Sequence, residues 1–257
     1  MRVLVCAALA SVSLVTLGDI VFDNANARWE IGKDGCVTKI IERKTARNLV
    51  GEKVPFVTYV GTDGVTNAPV ACTGDRKRLD FRFANGSKMS LKVSEFPGGW
   101  TFETADCALK DADALWFVRL KPACAKYFGA MANAISDDAS AVFVRGYRPE
   151  TEMSCSKETG DGVLAAGALR KSGFDGHRAG LAAAPRGDIL KTVREMTKAA
   201  GVPWSKAGGA WAQDSALNRG SYFFATGMDL PSLDDWIDMA ERGGFDLFHF
   251  HVWWKLY

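Results

Sequence analysis

Apolar and polar residues alternate in short runs along residues 19–184, and turn residues separate these runs. The clearest case is a hairpin, in which residues 79–83 and 89–93 alternate on either side of the turn Asn85-Gly86. Alternation with a period of two is typical of strands that bury one face, and Asn-Gly is a common two-residue hairpin turn. The pattern therefore predicts an antiparallel β-sandwich over residues 19–185.

A different pattern follows near the C-terminal end. Residues 222–226 and 245–254 are two runs rich in aromatic and branched side chains. The segment between them begins with Pro231-Ser232, ends with Gly243-Gly244 and carries an apolar helical stripe. A strand, a crossover helix and a strand indicate parallel pairing.

A helical linker is predicted between these two regions. Residues 189–200 have helical periodicity, Gly201 favours a C-cap and Pro203 prevents the helix from continuing. We therefore predict four segments, a signal peptide (1–18), a β-sandwich domain (19–185), a helical linker (186–220) and the start of a barrel (221–257). The predicted fold class is multidomain β plus α/β, with the sandwich followed by the linker and the first β-α-β unit of a truncated (β/α)₈ barrel.

The last predicted strand has one purely apolar face and one mixed face. Leu247, His249, His251 and Trp253 share the mixed face. In a barrel this face would line the lumen, and active sites form at the C-terminal rim. We predict Asp229, His249, His251 and Trp253 as substrate-binding residues. Hydrogen-bonded core histidines, and a simple turn role for Asp229, are equally good interpretations.

Residues 1–18 have the pattern of an export signal, with Arg2 before an apolar run at 3–15. This predicts a mature N-terminus near Asp19 and a periplasmic or extracellular location. A buried first strand or helix is the alternative. The run is too short to span a membrane. The five remaining cysteines contain no Cys-x-x-Cys pair, so no zinc or redox site is predicted. Export would permit up to two disulfides, but a domain of this size does not need them, and we predict free buried thiols.

Charge excludes one class of partner. The chain carries 32 basic and 30 acidic residues without long runs of either sign, for a net charge of +2. Charge spread in this way gives no electrostatic footprint for nucleic acid or for an anionic membrane. The sequence also contains no phosphate-binding or dinucleotide-binding fingerprint, so no cofactor is predicted. The oligomeric state stays open.

The order of segments resembles the multidomain glycoside hydrolases with an N-terminal β-sandwich and an α-galactosidase-like barrel. The resemblance rests on the sandwich start at residues 27–49, the linker strings Gly201-Val-Pro and Gly209-Ala-Trp, and the barrel opening around residues 222–254. It implies that the chain is the N-terminal fragment of a secreted glycoside hydrolase with a carbohydrate substrate. In that family the catalytic carboxylates lie on later barrel strands, so no catalytic residue is assigned here.

Two alternatives come from other classes of protein. His249-x-His251 places two imidazoles on one strand face, which is compatible with a metal-dependent hydrolase built on a barrel. A non-catalytic carbohydrate-binding sandwich is the second alternative, and it requires an exposed aromatic side chain.

Overall fold

The computed structural model describes residues 19–129, 132–155, 162–206, 209, 211–216, 220–226 and 231–251. The chain divides into two compact units, Met1–Val202 and Pro203–Tyr257. Strands take up 51% of the described residues and helices 15%, so the fold is mostly β.

The first unit contains strands β1 to β18 and helix α1. The strands are β1 (Ile20–Asp23), β2 (Ala27–Ile31), β3 (Val37–Glu42), β4 (Arg47–Asn48), β5 (Val50–Glu52), β6 (Thr58–Gly61), β7 (Thr66–Asn67), β8 (Pro69–Gly74), β9 (Arg78–Phe83), β10 (Lys88–Phe96), β11 (Gly99–Ala108), β12 (Ala112–Pro122), β13 (Tyr127–Gly129), β14 (Ala134–Ser136), β15 (Ser140–Gly146), β16 (Glu152–Cys155), β17 (Leu164–Leu169) and β18 (Arg178–Pro185). The helix α1 covers Ile189–Ala200.

These strands form three sheets in which neighbouring strands are antiparallel. The largest sheet has eight strands in the order β13-β14-β15-β18-β11-β10-β9-β8. The second sheet has six strands. Five of them follow the order β16-β17-β12-β6-β7, and β5 pairs with β12. The third sheet has the order β1-β2-β3-β4. The predicted hairpin is confirmed, because β9 and β10 pair with Phe81 opposite Met89.

One apolar core joins the inner faces of all three sheets. Trp29 of β2 is fully buried, and its ring centroid lies 4.5 Å from that of Phe22 and 4.7 Å from that of Phe56. Phe102 of β11 meets the edges of these rings, with a centroid 5.2 Å from Trp29. Alternate residues of each strand point into this core, which accounts for the sandwich-like arrangement.

The predicted helical linker is wrong, because α1 is part of the first unit. Its apolar stripe packs on the outer face of the eight-stranded sheet, where Met196 is fully buried beside Phe96 and Phe143. Val193 lies one turn and Ile189 two turns before Met196 on the same stripe. An amphipathic helix gains most of its stability from covering such a surface, which a free linker does not offer.

The second unit contains β19 (Tyr222–Thr226), α2 (Leu233–Arg242) and β20 (Leu247–His251). The strands pair in parallel, and the Phe223 ring centroid lies 5.7 Å from those of Trp236 on α2 and Phe248 on β20.

The predicted fold class is wrong, because no helical linker followed by the first unit of a barrel is present among the described residues. The sheet of the second unit has two strands only, and the rest of the described strand pairing is antiparallel. A (β/α)₈ barrel instead needs consecutive parallel strands that close on themselves. The correct description is a mostly antiparallel β fold with two α-helices in the described residues.

Two further observations concern the whole described chain. None of its helices is both long and apolar enough to cross a lipid bilayer. The five cysteines that the structure describes are free thiols, as the sequence predicts.

Candidate functional site

The structure describes only part of the predicted substrate-binding set. His249 lies on β20 with an exposed side chain, and its ring centroid is 4.8 Å from that of Phe224 on β19. His251 is the last residue of β20. Asp229 and Trp253 lie outside the described residues. The substrate-binding role of these four residues therefore stays a prediction.

The buried cysteine and histidine side chains that the structure describes in the first unit lie in the packed interior and do not form a reactive site. Burial raises the pKa of Cys72 to about 12 and that of Cys124 to about 11, so neither is a thiolate at neutral pH. The described residues contain no group of three or more His, Cys, Asp or Glu side chains placed to hold a metal ion. His177 is also buried, and it contacts Thr151 and the Gly173 carbonyl.

A groove lies on the outer face of the six-stranded sheet. Its volume is about 250 Å³, slightly below the roughly 300–1,000 Å³ of pockets that enclose small ligands. The lining residues come from five strands and the segment before β17, and they are Thr58, Val60, Thr66, Trp116, Arg119, Ser154, Val163 and Ala165. We call this surface the sheet groove.

Trp116 is the central side chain of the sheet groove. It lies on β12 between Thr58 of β6 and Gly167 of β17, which are its direct cross-strand partners. Its indole leans across β17, because a β-carbon at Gly167 would lie only 2.6 Å from Cε3 and 2.9 Å from Cζ3 of the ring. The missing side chain at Gly167 thus lets the ring rest against the sheet. Trp116 itself is half-buried, which leaves part of the ring facing the groove.

A β-bulge brings Arg119 to the same face as Trp116. Phe117 and Val118 are both fully buried, which breaks the alternation of β12. The register between β12 and β17 shifts by one residue over this stretch, and Val118 has a φ of 55°. A β-branched residue rarely adopts this left-handed conformation. With regular alternation Trp116 and Arg119 would point to opposite faces, so the bulge creates their pairing.

The sheet groove combines one aromatic ring, hydroxyl groups and one positive charge. Arg119 donates a hydrogen bond from Nη1 to the Pro55 carbonyl over 3.2 Å, which orients its guanidinium group. Thr66 is exposed and Ser154 half-buried, so hydroxyl groups lie on both sides of the ring. None of the described lining residues is acidic. The surface is suited to a ligand with an apolar face and many hydroxyl groups.

The sequence pattern predicts a strand at residues 115–120 but does not identify this site. Strict alternation places Trp116 and Arg119 apart, and the residue types around Val118 give no sign of a bulge. The available signal is Gly167, which interrupts the alanine-rich run of β17 and leaves space above the strand.

Comparison with known proteins does not assign the chain to a family, since no protein-family model and no curated protein matches it.

Proposed function

We propose that this protein recognises carbohydrate through the sheet groove. The observation that carries the proposal is the Trp116 indole, which rests over Gly167 with part of its ring facing the groove. Among the interpretations that the sequence left open, this corresponds to the carbohydrate-binding sandwich.

The chemistry of the lining residues supports a sugar as the ligand. One face of a pyranose ring presents C–H groups, which pack on an aromatic ring, while its hydroxyl groups require donors and acceptors. Thr66 and Ser154 offer hydroxyl groups that both donate and accept, and Arg119 offers donors only. This combination of an aromatic anchor and a few polar groups is typical of small-ligand sites.

Glycoside hydrolysis stays a prediction that the family resemblance makes for the parent protein and not for this chain by itself. Export from the cell also stays a prediction. The proposal for the sheet groove concerns binding and depends on neither. A screen of aryl glycosides and oligosaccharides with purified full-length protein tests hydrolysis separately.

A glycan array followed by titration calorimetry on the best ligands tests the proposal. We expect binding in the wild-type protein and at least about fivefold weaker binding in Trp116→Ala, because that variant removes the aromatic anchor. Trp116→Phe is the conservative variant and should retain part of the affinity. Trp204→Ala, which changes a tryptophan of the second unit, controls for the general loss of an indole.

Thermal unfolding of each variant shows whether the first unit still folds. Absence of binding to any glycan by the wild-type protein contradicts the proposal. Equal affinities of wild type and a folded Trp116→Ala variant also contradict it, because the sugar would then bind elsewhere.

A further inference from the structure

The sheet groove extends across five strands of the six-stranded sheet. Thr66 belongs to β7 and Ser154 to β16, and these are the first and last strands in the β16-β17-β12-β6-β7 order. Four strand spacings of about 4.8 Å separate β7 from β16, which gives a span of about 19 Å. A single sugar ring on Trp116 would leave both ends of this span empty.

The chemistry of the groove is also arranged along that span. Trp116 lies on β12, the middle strand, and a hydroxyl-bearing residue lies two strands away on each side. Among the described residues β7 and β16 are edge strands of this sheet, so the groove runs from one edge to the other. The arrangement fits an extended ligand that crosses the strands, with its central unit on the indole.

We propose that the sheet groove binds an internal stretch of an oligosaccharide or polysaccharide chain that lies across the strands, with Trp116 under a central unit and Thr66 and Ser154 contacting units on either side. This inference rests on the proposed function and specifies its ligand as a chain rather than a single sugar. Thr66 and Ser154 then determine the preference for chain length.

Titration calorimetry with probes of increasing length tests this inference. The probes are the linear oligosaccharides of glucose, mannose and xylose, each from monosaccharide to hexasaccharide. We expect the affinity for the recognised series to rise with length and to level off once the chain spans the groove. Trp116→Ala should weaken the binding of every length by at least about fivefold.

Variants at the two ends separate length recognition from sugar recognition. Thr66→Ala and Ser154→Ala each remove one hydroxyl group and should weaken hexasaccharide binding by about two- to tenfold, the range for one hydrogen bond. Binding of the mono- and disaccharide should stay unchanged. Thr73→Ala, at an exposed position on β8 of the other large sheet, is the matched control.

The possible failures are distinguishable. If a monosaccharide binds as tightly as the hexasaccharide and this binding depends on Trp116, the chain proposal is wrong while carbohydrate recognition stands. The same conclusion follows if Thr66→Ala and Ser154→Ala leave hexasaccharide binding unchanged. If no probe and no arrayed glycan binds, both the proposed function and the chain proposal are wrong.

Discussion

Gly167 determines where the Trp116 ring lies, although Gly167 itself has no side chain. An alanine at this position would place its β-carbon 2.6 Å from Trp116 Cε3 and 3.1 Å from the Leu115 carbonyl oxygen. The 2.6 Å contact is too short for a β-carbon, so the ring has to move. The glycine therefore belongs to the proposed binding site even though it offers no group to a ligand.

Gly167→Ala should weaken carbohydrate binding and lower the free energy of unfolding by about 1–3 kcal/mol, because the new methyl group overpacks the outer face. Calorimetry and urea unfolding measure the two effects. Gly187→Ala is the matched control, since a β-carbon there meets open space. A Gly167→Ala variant with unchanged binding and stability would show that the ring does not depend on this glycine.

His177 is a buried histidine held by two hydrogen bonds. Its Nε2 lies 3.1 Å from the Gly173 carbonyl oxygen and its Nδ1 lies 3.1 Å from Thr151 Oγ1. The carbonyl requires a proton on Nε2, so Nδ1 accepts from the threonine hydroxyl in the neutral ring. Burial lowers the pKa of His177 below its ordinary value of 6.5.

This lowered pKa predicts a loss of stability in mild acid. Between the two pKa values the unfolded state binds a proton that the folded state does not, so the free energy of unfolding falls as the pH drops below about 6.5. His177 changes the free energy of unfolding by at most about 1.4 kcal/mol per pH unit. Above about pH 6.5 its contribution to that free energy is constant.

Urea unfolding from pH 5 to pH 8 checks this prediction in wild type and His177→Gln. The wild-type stability should fall more steeply towards pH 5 than that of the variant, which cannot titrate at this position. His249→Gln replaces an exposed histidine and serves as the control. Parallel pH profiles of wild type and His177→Gln would refute the linkage.

The alternation of apolar and polar residues predicts some strands well and misses others. The β9–β10 hairpin follows from alternation and an Asn-Gly turn, both of which are local signals. By contrast, β17 and β18 are rich in alanine, which has a low strand propensity, yet they occupy inner positions in the two large sheets. Packing against neighbouring strands decides their conformation, and a single sequence does not show those neighbours.

Helix α1 shows a second limit of the local pattern. Its periodicity correctly predicts a helix at residues 189–200 and its Gly201 C-cap is left-handed, with a φ of 69°. The pattern does not say which surface its apolar stripe covers. That surface includes alanines of β18, which precedes α1, but also Phe96 and Phe143 on strands far away in sequence. The linker interpretation therefore failed on long-range packing.

The β12 bulge limits what the sequence predicts about the candidate site. Five strands of the six-stranded sheet supply the groove, and one inserted residue at Val118 brings Trp116 and Arg119 together. Strain at a functional site is a recognised reason for such an outlier. The sequence instead indicates the histidines of β20, because they alternate regularly within one strand.

The two compact units differ in how much apolar surface they bury. The first has a continuous core with many fully buried aromatic side chains. In the second, several large apolar residues are exposed, among them Tyr222 at 61%, Phe224 at 50% and Leu247 at 53%. An isolated pair of strands is only marginally stable in water, and one helix, α2, packs on this pair. Local opening should therefore be more frequent in the second unit.

Limited proteolysis with trypsin tests this difference. Lys206 is exposed and follows the boundary at Val202. Lys191 and Arg194 lie within α1, which packs on the eight-stranded sheet, and Arg186 lies in the 3-10 turn just before it. We expect early cleavage after Lys206 and a resistant product that retains α1, because protease access requires local unfolding of the backbone.

Mass spectrometry of the resistant product decides between two boundaries. A product that ends at Lys206 agrees with the structure, in which α1 belongs to the first unit. A product that ends at Arg186 would instead mean that α1 behaves as a linker. The variant Met196→Ala provides the control: it leaves a cavity under the helix at a cost of about 2–5 kcal/mol, so cleavage within α1 should become faster than in wild type.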